Sequence, residues 1–370
     1  MEKKIKSAPR LALRIEELCR RLPEDVDGIL ITSEVNRLYF TGLQSSAGTL
    51  LVLKNAGGFF IIDSRYIEKA RAVVQNCEVL LQKPCKLFAQ LAGLFAQHQV
   101  RRLAVEGEYM SISTFREYKR QLSEFAQLVS LPPVNRLLRE MRGLKSTEEI
   151  RLIERSQEIT DRAFTHICGY IREGMTEREI AGELLDFTYR QGSERPAFDF
   201  IVVSGENSSM PHGVPTERKV RQGDFITMDF GCVVGGYCSD MTRTVAIGAV
   251  TEEQQRVYDT VLAAQEAAIR MVRAGVLCQQ VDQAARDLID AAGYQGCFGH
   301  GTGHSLGVEI HEPPAFNTVD KTPCLPGMVI TVEPGIYLEG RFGVRIEDMV
   351  CVTKEGSINL TRSEKKLLLL

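Results

Sequence analysis

Two stretches of the chain concentrate carboxylates in a pattern that could hold cations. In the first, Asp224-Phe-Ile-Thr-Met-Asp-Phe is followed by a Gly235-Gly236 turn and by Tyr237-Cys-Ser-Asp-Met-Thr-Arg-Thr-Val, which predicts a β-hairpin. Alternation puts Thr227 and Asp229 on one face with Asp240, Thr242 and Thr244 of the returning strand, and Ile226, Met228, Phe230, Met241 and Val245 on the other. With the turn centred on either Val234-Gly235 or Gly235-Gly236, Asp229 and Asp240 become direct or diagonal neighbours. Residues 328–351 repeat the logic. Thr331 and Glu333 share a polar face, Met328, Ile330 and Val332 an apolar one, and Pro334 ends the strand. Beyond Gly340 and Gly343, Arg345 and Glu347 alternate with Val344 and Ile346, so a second pair of carboxylates meets.

Four such carboxylates on inner sheet faces repel one another and are driven toward the protonated form unless positive charge is supplied. Arg345 alone is insufficient. Two divalent cations bring four charges against four, and oxygen-rich ligation favours a hard ion such as Mn²⁺, with Co²⁺ and Zn²⁺ as alternatives. A neutral imidazole from Phe298-Gly-His-Gly-Thr-Gly-His-Ser-Leu-Gly-Val-Glu-Ile-His311 supplies the remaining ligand, its glycines allowing close backbone approach. The chemistry expected of such a pair of ions is hydrolysis, because a water between them is acidified toward neutrality.

The elements that position these groups are legible around them. In the first third, residues 28–32, 48–53 and 58–63 read as strands among helical patterns. Extended character ends near Pro132-Pro133, and the boundary is expected near residue 140, giving domains 1–140 and 141–370. Three capping boxes, Ser146-Thr-Glu-Glu149, Thr176-Glu-Arg-Glu179 and Thr251-Glu-Glu-Gln254, open helices in the second part. A shift of 101 residues lays Gly174 on Gly275 and Ile180 on Val281, a weak repeat of a helix pair followed by strands. Two α/β halves facing each other would leave a cleft between them.

At 370 residues, two domains are the default expectation. A net charge of −3 provides no field to draw nucleic acid or membrane, and a small polar substrate fits better. Lys3, Lys4, Lys6 and Arg10 precede an amphipathic segment without an apolar signal core, and Leu367 to Leu370 is far short of the ~20 residues of a membrane span. A soluble, cytoplasmic protein is expected, its ten scattered cysteines reduced. Cys232 and Cys238 flank one hairpin but are not opposed in its register. His98, His166, Arg101-Arg102 and Lys365-Lys366 read as solvated surface.

The motifs Met228-Asp-Phe-Gly, Ser239-Asp-Met-Thr-Arg-Thr, Gly301-Thr-Gly-His-Ser-Leu-Gly, Ile310-His-Glu, Val332-Glu-Pro-Gly and Val344-Arg-Ile-Glu-Asp resemble those of the pita-bread metallopeptidases. That family includes methionine aminopeptidase, Xaa-Pro aminopeptidase and prolidase. The match spans roughly residues 145–360. Asn36-Arg-Leu-Tyr-Phe-Thr-Gly42 and Asp63-Ser-Arg-Tyr66 look like the creatinase-type domain of the proline-specific branch. The resemblance implies an α+β fold: a C-terminal pita-bread domain of pseudo-twofold α/β halves behind a smaller α/β N-terminal domain. It implies that Asp229 chelates one ion, that His304 and Glu333 belong to the other, and that Asp240 and Glu347 bridge both. Glu333 is then the proton shuttle, His212 and His311 contact substrate and the developing oxyanion, and Arg345 orients a ligand carboxylate. His300 is either structural or a support behind the ligands. The expected activity is an Xaa-Pro aminopeptidase acting on peptides with a penultimate proline, with Xaa-Pro dipeptidase as the alternative, in a homodimer. Residues 312–340 hold no arginine and one lysine, Lys321, which weighs slightly against the dipeptidase. A creatinase-like hydrolase or a binding module would not need all five ligands.

Overall fold

The computed structural model describes residues 11–370, so Lys3, Lys4, Lys6 and Arg10 lie outside the described residues. The chain divides after Arg142 into two compact units. The first carries helices α1 (Arg14–Arg21), α2 (Glu34–Thr41), α3 (Ile67–Val73), α4 (Leu87–Gln97) and α5 (Ile112–Leu122), with α6 (Pro132–Gly143) closing it. Its strands are β1 (Gly28–Ile31), β2 (Thr49–Leu53), β3 (Gly57–Ile62), β4 (Glu78–Leu81), β5 (Arg102–Val105) and β6 (Gln127–Ser130). They form one mixed sheet in the order β4-β3-β2-β1-β5-β6. The central strands are apolar throughout because both faces are covered. Ile29, Ile31, Leu50, Val52, Phe60 and Ile62 enter one core, and Leu30, Leu51, Leu53, Phe59 and Ile61 the other.

Polar residues of this unit that the sequence singles out do structural work. Asn36 Nδ2 donates to Glu106 Oε1 at 2.6 Å, and Glu106, fully buried, also accepts from the Thr32 and Ser33 backbone. Arg37 donates to the Ser45 carbonyl at 2.7 Å, and Gly42 closes α2 at φ +71°. His98 is not solvated surface: its Nε2 is buried without a hydrogen-bond partner and its ring packs 5.2 Å from Phe59.

The second unit repeats itself. Helices α7 (Thr147–Tyr170) and α8 (Glu177–Arg190) precede β7 (Ile201–Ser204), β8 (Phe225–Phe230), β9 (Val233–Val234), β10 (Tyr237–Cys238) and β11 (Met241–Ala246). Helices α9 (Glu252–Met271) and α10 (Cys278–Ala291) then precede β12 (Gly303–Ser305), β13 (Glu312–Phe316), β14 (Val329–Val332), β15 (Gly335–Leu338), β16 (Phe342–Arg345), β17 (Asp348–Val352) and β18 (Ser357–Asn359). All three capping boxes close as expected, each with the Ser or Thr side chain on the N3 amide and the Glu or Gln reaching back. Gly174 and Gly275 both take φ +87°, and Ile180 and Val281 are both fully buried. The symmetry extends to isolated bridges, Thr176 with Lys219 and Leu277 with Pro323. One half carries the sheet β11-β8-β7 and the other β13-β12-β14-β17-β18.

Each hairpin's apolar face enters the core of its own half. Ile226, Met228, Phe230, Met241 and Val245 pack against Phe164, Ile167 and Leu184 of α7 and α8. Ile330, Val332, Val344 and Ile346 pack against Val257, Val261 and Val281 of α9 and α10. The opposite faces are thereby left for polar residues. The terminal leucines are tied to the sheet: the Leu368 carbonyl accepts from Ala246, and Leu370 donates back to Ala246 at 2.8 Å, extending the edge of β11. Among the described residues no helix is long and apolar enough to cross a membrane.

Candidate metal centre and active site

The first hairpin turns on Gly235-Gly236, both at positive φ (57° and 79°), as a two-residue turn of this twist requires. Val234 pairs with Tyr237 and Asp229 with Thr242, so Asp240 is the diagonal neighbour of Asp229. The ladder opens between the two ribbons, where Gly231 lets the chains cross: a Cβ there would lie 1.9 Å from the Ser239 carbonyl. Cys238 lies opposite Val233, and all ten cysteines are free.

The second hairpin is interrupted likewise. Gly335 pairs with Arg345 and Val332 with Asp348, which leaves Glu333 and Glu347 facing each other in the gap beside Pro334. Their amides find partners elsewhere, Glu333 on the Thr302 carbonyl (2.7 Å) and Glu347 on that of Thr242 (3.1 Å). That second bond, with Thr244 Oγ1 on the Arg345 carbonyl at 3.0 Å, joins the two halves at the carboxylates.

The five residues read from sequence are brought together. Asp240, His304 and Glu347 offer ligand atoms within 4.8 Å of one another. His304 Nε2 stands 3.4 Å from Asp240 Oδ2 and 3.5 Å from Glu333 Oε1. Its Nδ1 faces the Ser305 carbonyl at 3.1 Å, which places the proton of a neutral ring there and leaves the Nε2 lone pair turned to the acids. Arg345 Nη2 donates to Asp229 Oδ2 at 2.6 Å, and Thr242 Oγ1 to Glu347 Oε2 at 2.7 Å.

Arg345 is too little positive charge for these acids. Asp229 Oδ1 and Glu347 Oε1 are buried with no hydrogen-bond partner. Burial pushes the Asp240 and Glu347 carboxyls well above the ordinary carboxylate range, with repulsion from the neighbouring acids added. Asp229 is raised too, because burial outweighs the attraction of Arg345. A lone pair facing carboxylates, with carboxylate oxygens buried beside it without a partner, fits hard divalent cations.

Above the cluster opens a cavity of about 690 Å³ lined by Asp229, Asp240, His304 and Glu333 and also by His212, His300 and His311. The His311 ring packs edge-on at 4.4 Å from that of His304. Burial, and then the nearby His304, lower its pKa. His300 is a support: its Nδ1 faces the Gly301 carbonyl (2.8 Å) and its Nε2 the Tyr337 hydroxyl (2.9 Å), which also accepts from Arg345 Nη1 (2.8 Å). A continuous chain therefore runs from Asp229 through Arg345 and Tyr337 to His300. Tyr337 was missed from sequence, and the signal was thin: in β15, the hairpin register puts it opposite Gly343, two residues before Arg345. Asp282 and Arg286 were also missed, although their i, i+4 spacing is a helix ion pair. Asp282 Oδ1 accepts from the Thr302 amide at 3.0 Å, and Arg286 donates to the Phe298 and His300 carbonyls, so together they clamp the glycine loop. Lys365, read as solvated surface, instead pairs with Asp348 at 3.0 Å, beside the buried Arg243–Asp348 bridge. His166, read the same way, bonds Glu183 at 2.7 Å and stacks on Phe187.

A carboxylate-rich cation site between two α/β halves is the arrangement of the pita-bread class. Residues 151–354 match the model of metallopeptidase family M24, and residues 14–142 that of the creatinase/prolidase N-terminal domain. An Xaa-Pro dipeptidase from Pyrococcus furiosus is 34% identical over 96% of this chain and 99% of its own. In three dimensions, an Xaa-Pro dipeptidase from Bacillus anthracis superposes with a TM-score of 0.93 at 36% identity, over 98% of this chain and all of that one. An X-Pro aminopeptidase from Thermotoga maritima MSB8 superposes with 0.90 at 35% identity, over 96% of this chain and all of that one. The chain belongs to metallopeptidase family M24, and so is a divalent-metal-dependent peptidase.

Proposed function

We propose that the chain hydrolyses the bond between an N-terminal residue and a following proline, as an Xaa-Pro dipeptidase. The observation that carries the reading is the buried set of acids around His304, with oxygens of Asp229 and Glu347 lacking any partner. Asp229, Asp240, His304, Glu333 and Glu347 would together hold two divalent ions. Two bound cations, Mn²⁺ being the expected metal, would polarise the peptide carbonyl and acidify a water toward neutrality. The chain's own groups perform the remaining work. Glu333, less buried than Asp240 and Glu347 and lining the cavity, takes a proton from the attacking water and delivers it to the leaving proline nitrogen. His311 and His212 supply N–H donors to the carbonyl oxygen and the scissile bond, where developing charge makes them most effective. With its pKa lowered by burial, His311 donates as a neutral ring near pH 7.

The relatives named Xaa-Pro dipeptidase support a dipeptide substrate. One observation favours the aminopeptidase instead. Among the described residues lining the cavity, Arg345 is the one Lys or Arg, and it is engaged with Asp229, so none of them offers a dipeptide's carboxylate an unengaged guanidinium or ammonium. A panel of Xaa-Pro dipeptides, Xaa-Pro-Xaa tripeptides and their Xaa-Ala counterparts, assayed with Mn²⁺ or Co²⁺, separates the two. Fast cleavage of Xaa-Pro dipeptides and slow cleavage of tripeptides is the expected result. Faster release from tripeptides establishes the aminopeptidase, and equal rates on proline and alanine peptides overturn proline specificity.

A further inference from the structure

Just outside the cluster, the partner strand of β8 does something irregular. Ile201 pairs with Asp229, yet the next contact toward the N-terminus is the bridge from Pro196 to Cys232. Five steps on one strand therefore answer three on the other, and, with the Ala197 amide still on the Gly231 carbonyl at 2.9 Å, residues 198–200 bulge from the ladder. Bulges beside active sites re-aim side chains. Here the bulge delivers Phe198, Asp199 and Phe200 to the cavity wall. Asp199 is exposed, and among the described residues nothing pairs with its carboxylate. It also lines an adjoining recess of about 210 Å³ with Leu185 and Pro196, so a long side chain reaching it has room.

We propose that Asp199 selects the residue before proline, favouring Lys or Arg there. This rests on the Xaa-Pro reading above. Two cations would neutralise Asp229, Asp240, Glu333 and Glu347, and Arg345 is held against Asp229, which leaves Asp199 as the carboxylate of the cavity wall that has no cation beside it. Asp199 lies two residues before Ile201, the residue paired with Asp229, so at most about 7 Å of chain separates them. The four-carbon stem of a lysine covers a similar span when its own carbonyl sits at the cluster. Phe198 and Phe200 flank the path with apolar surface suited to methylenes, leaving the charged head for the carboxylate.

The test compares kcat/KM for Lys-Pro, norleucine-Pro and Glu-Pro peptides on the wild-type chain, Asp199→Asn and Asp199→Lys, all loaded with Mn²⁺. The wild-type chain should prefer Lys-Pro to Glu-Pro, through KM and more strongly at low salt. In Asp199→Asn the ratio should fall about fivefold, the scale of a partly exposed charge pair. In Asp199→Lys the order should invert, which a merely structural role would not produce. A Lys-to-Glu ratio untouched by both substitutions overturns the assignment. So does a parallel fall on all three peptides, which would place Asp199 on the α-ammonium or in the fold. If the wild-type chain cleaves norleucine-Pro while the ratio stays flat, only Asp199 is refuted. If it cleaves none of the three, the Xaa-Pro reading falls and takes this one with it.

Discussion

At the scale of single residues, the histidines between residues 300 and 311 divide into distinct tasks through what their nitrogens face. His304 turns a lone pair toward Asp240 and Glu333, His300 spends both nitrogens on Gly301 and Tyr337, and His311 meets His304 only edge-on. Substitution should separate them. His304→Ala is expected to lose metal as well as activity, whereas His311→Ala should keep its metal and lose about 10²–10³ in turnover, the usual scale for one oxyanion donor. Metal content by elemental analysis beside kcat checks both, and metal loss in His311→Ala would reassign it as a ligand. Residue types were the part most legible in sequence, because carboxylates cannot be stacked on an inner face without a counter-charge. Tyr337 escaped because a phenol on a strand has no pattern of its own: its role depends on Arg345 and His300 arriving from elsewhere. Lys365 and His98 escaped for the converse reason, since a charged or polar residue near a terminus or a helix end reads as solvated until its partner or its neighbours are known.

At the scale of elements, alternation fixed which faces of the hairpins are apolar, and Gly235-Gly236 selected one of the two registers that the pattern had allowed. Pro334 was legible as the end of its strand, but the ladder break at Gly231 and the bulge at residues 198–200 were not, because they are set by a partner strand rather than by local propensity. These irregularities are what open each hairpin for its acids. Gly231→Ala tests this directly: its Cβ would meet the Ser239 backbone carbonyl at 1.9 Å, an atom that cannot move without shifting Asp240. It should cost about 1–3 kcal/mol, as overpacking does. Metal affinity should fall with it. Gly299→Ala is the control, since nothing lies within 4 Å of its added Cβ, and should change stability by less than about 0.5 kcal/mol. Urea unfolding of both variants, with and without metal, measures the difference. Equal stability would mean that the crossing at Gly231 is not what holds Asp240 in place.

At the scale of the whole molecule, the two units keep separate cores, and the acids that call for cations all belong to the second. Cation binding should therefore stabilise unevenly along the chain. Without metal, Asp229, Asp240 and Glu347 have raised pKa values when folded, so between the ordinary carboxylate pKa of about 4 and those higher values the folded chain binds more protons than the unfolded one. Stability then falls as pH rises through that window, the contribution being fully present below about pH 4 and lost above the folded values. Cations reverse the trend, since they bind the deprotonated carboxylates and favour the folded state by about 2.7 kcal/mol at a hundredfold excess over Kd. Hydrogen exchange with Mn²⁺ or with chelator should thus show added protection in peptides covering residues 225–246, 301–306 and 329–350, growing from pH 5 to pH 8, and little change in residues 28–130. Asp240→Ala should abolish the metal-dependent protection, while Met241→Leu, which alters only the apolar face of the same strand, should retain it. Protection that appears equally in both units, or that survives Asp240→Ala, would show that the cations bind somewhere other than between the two hairpins.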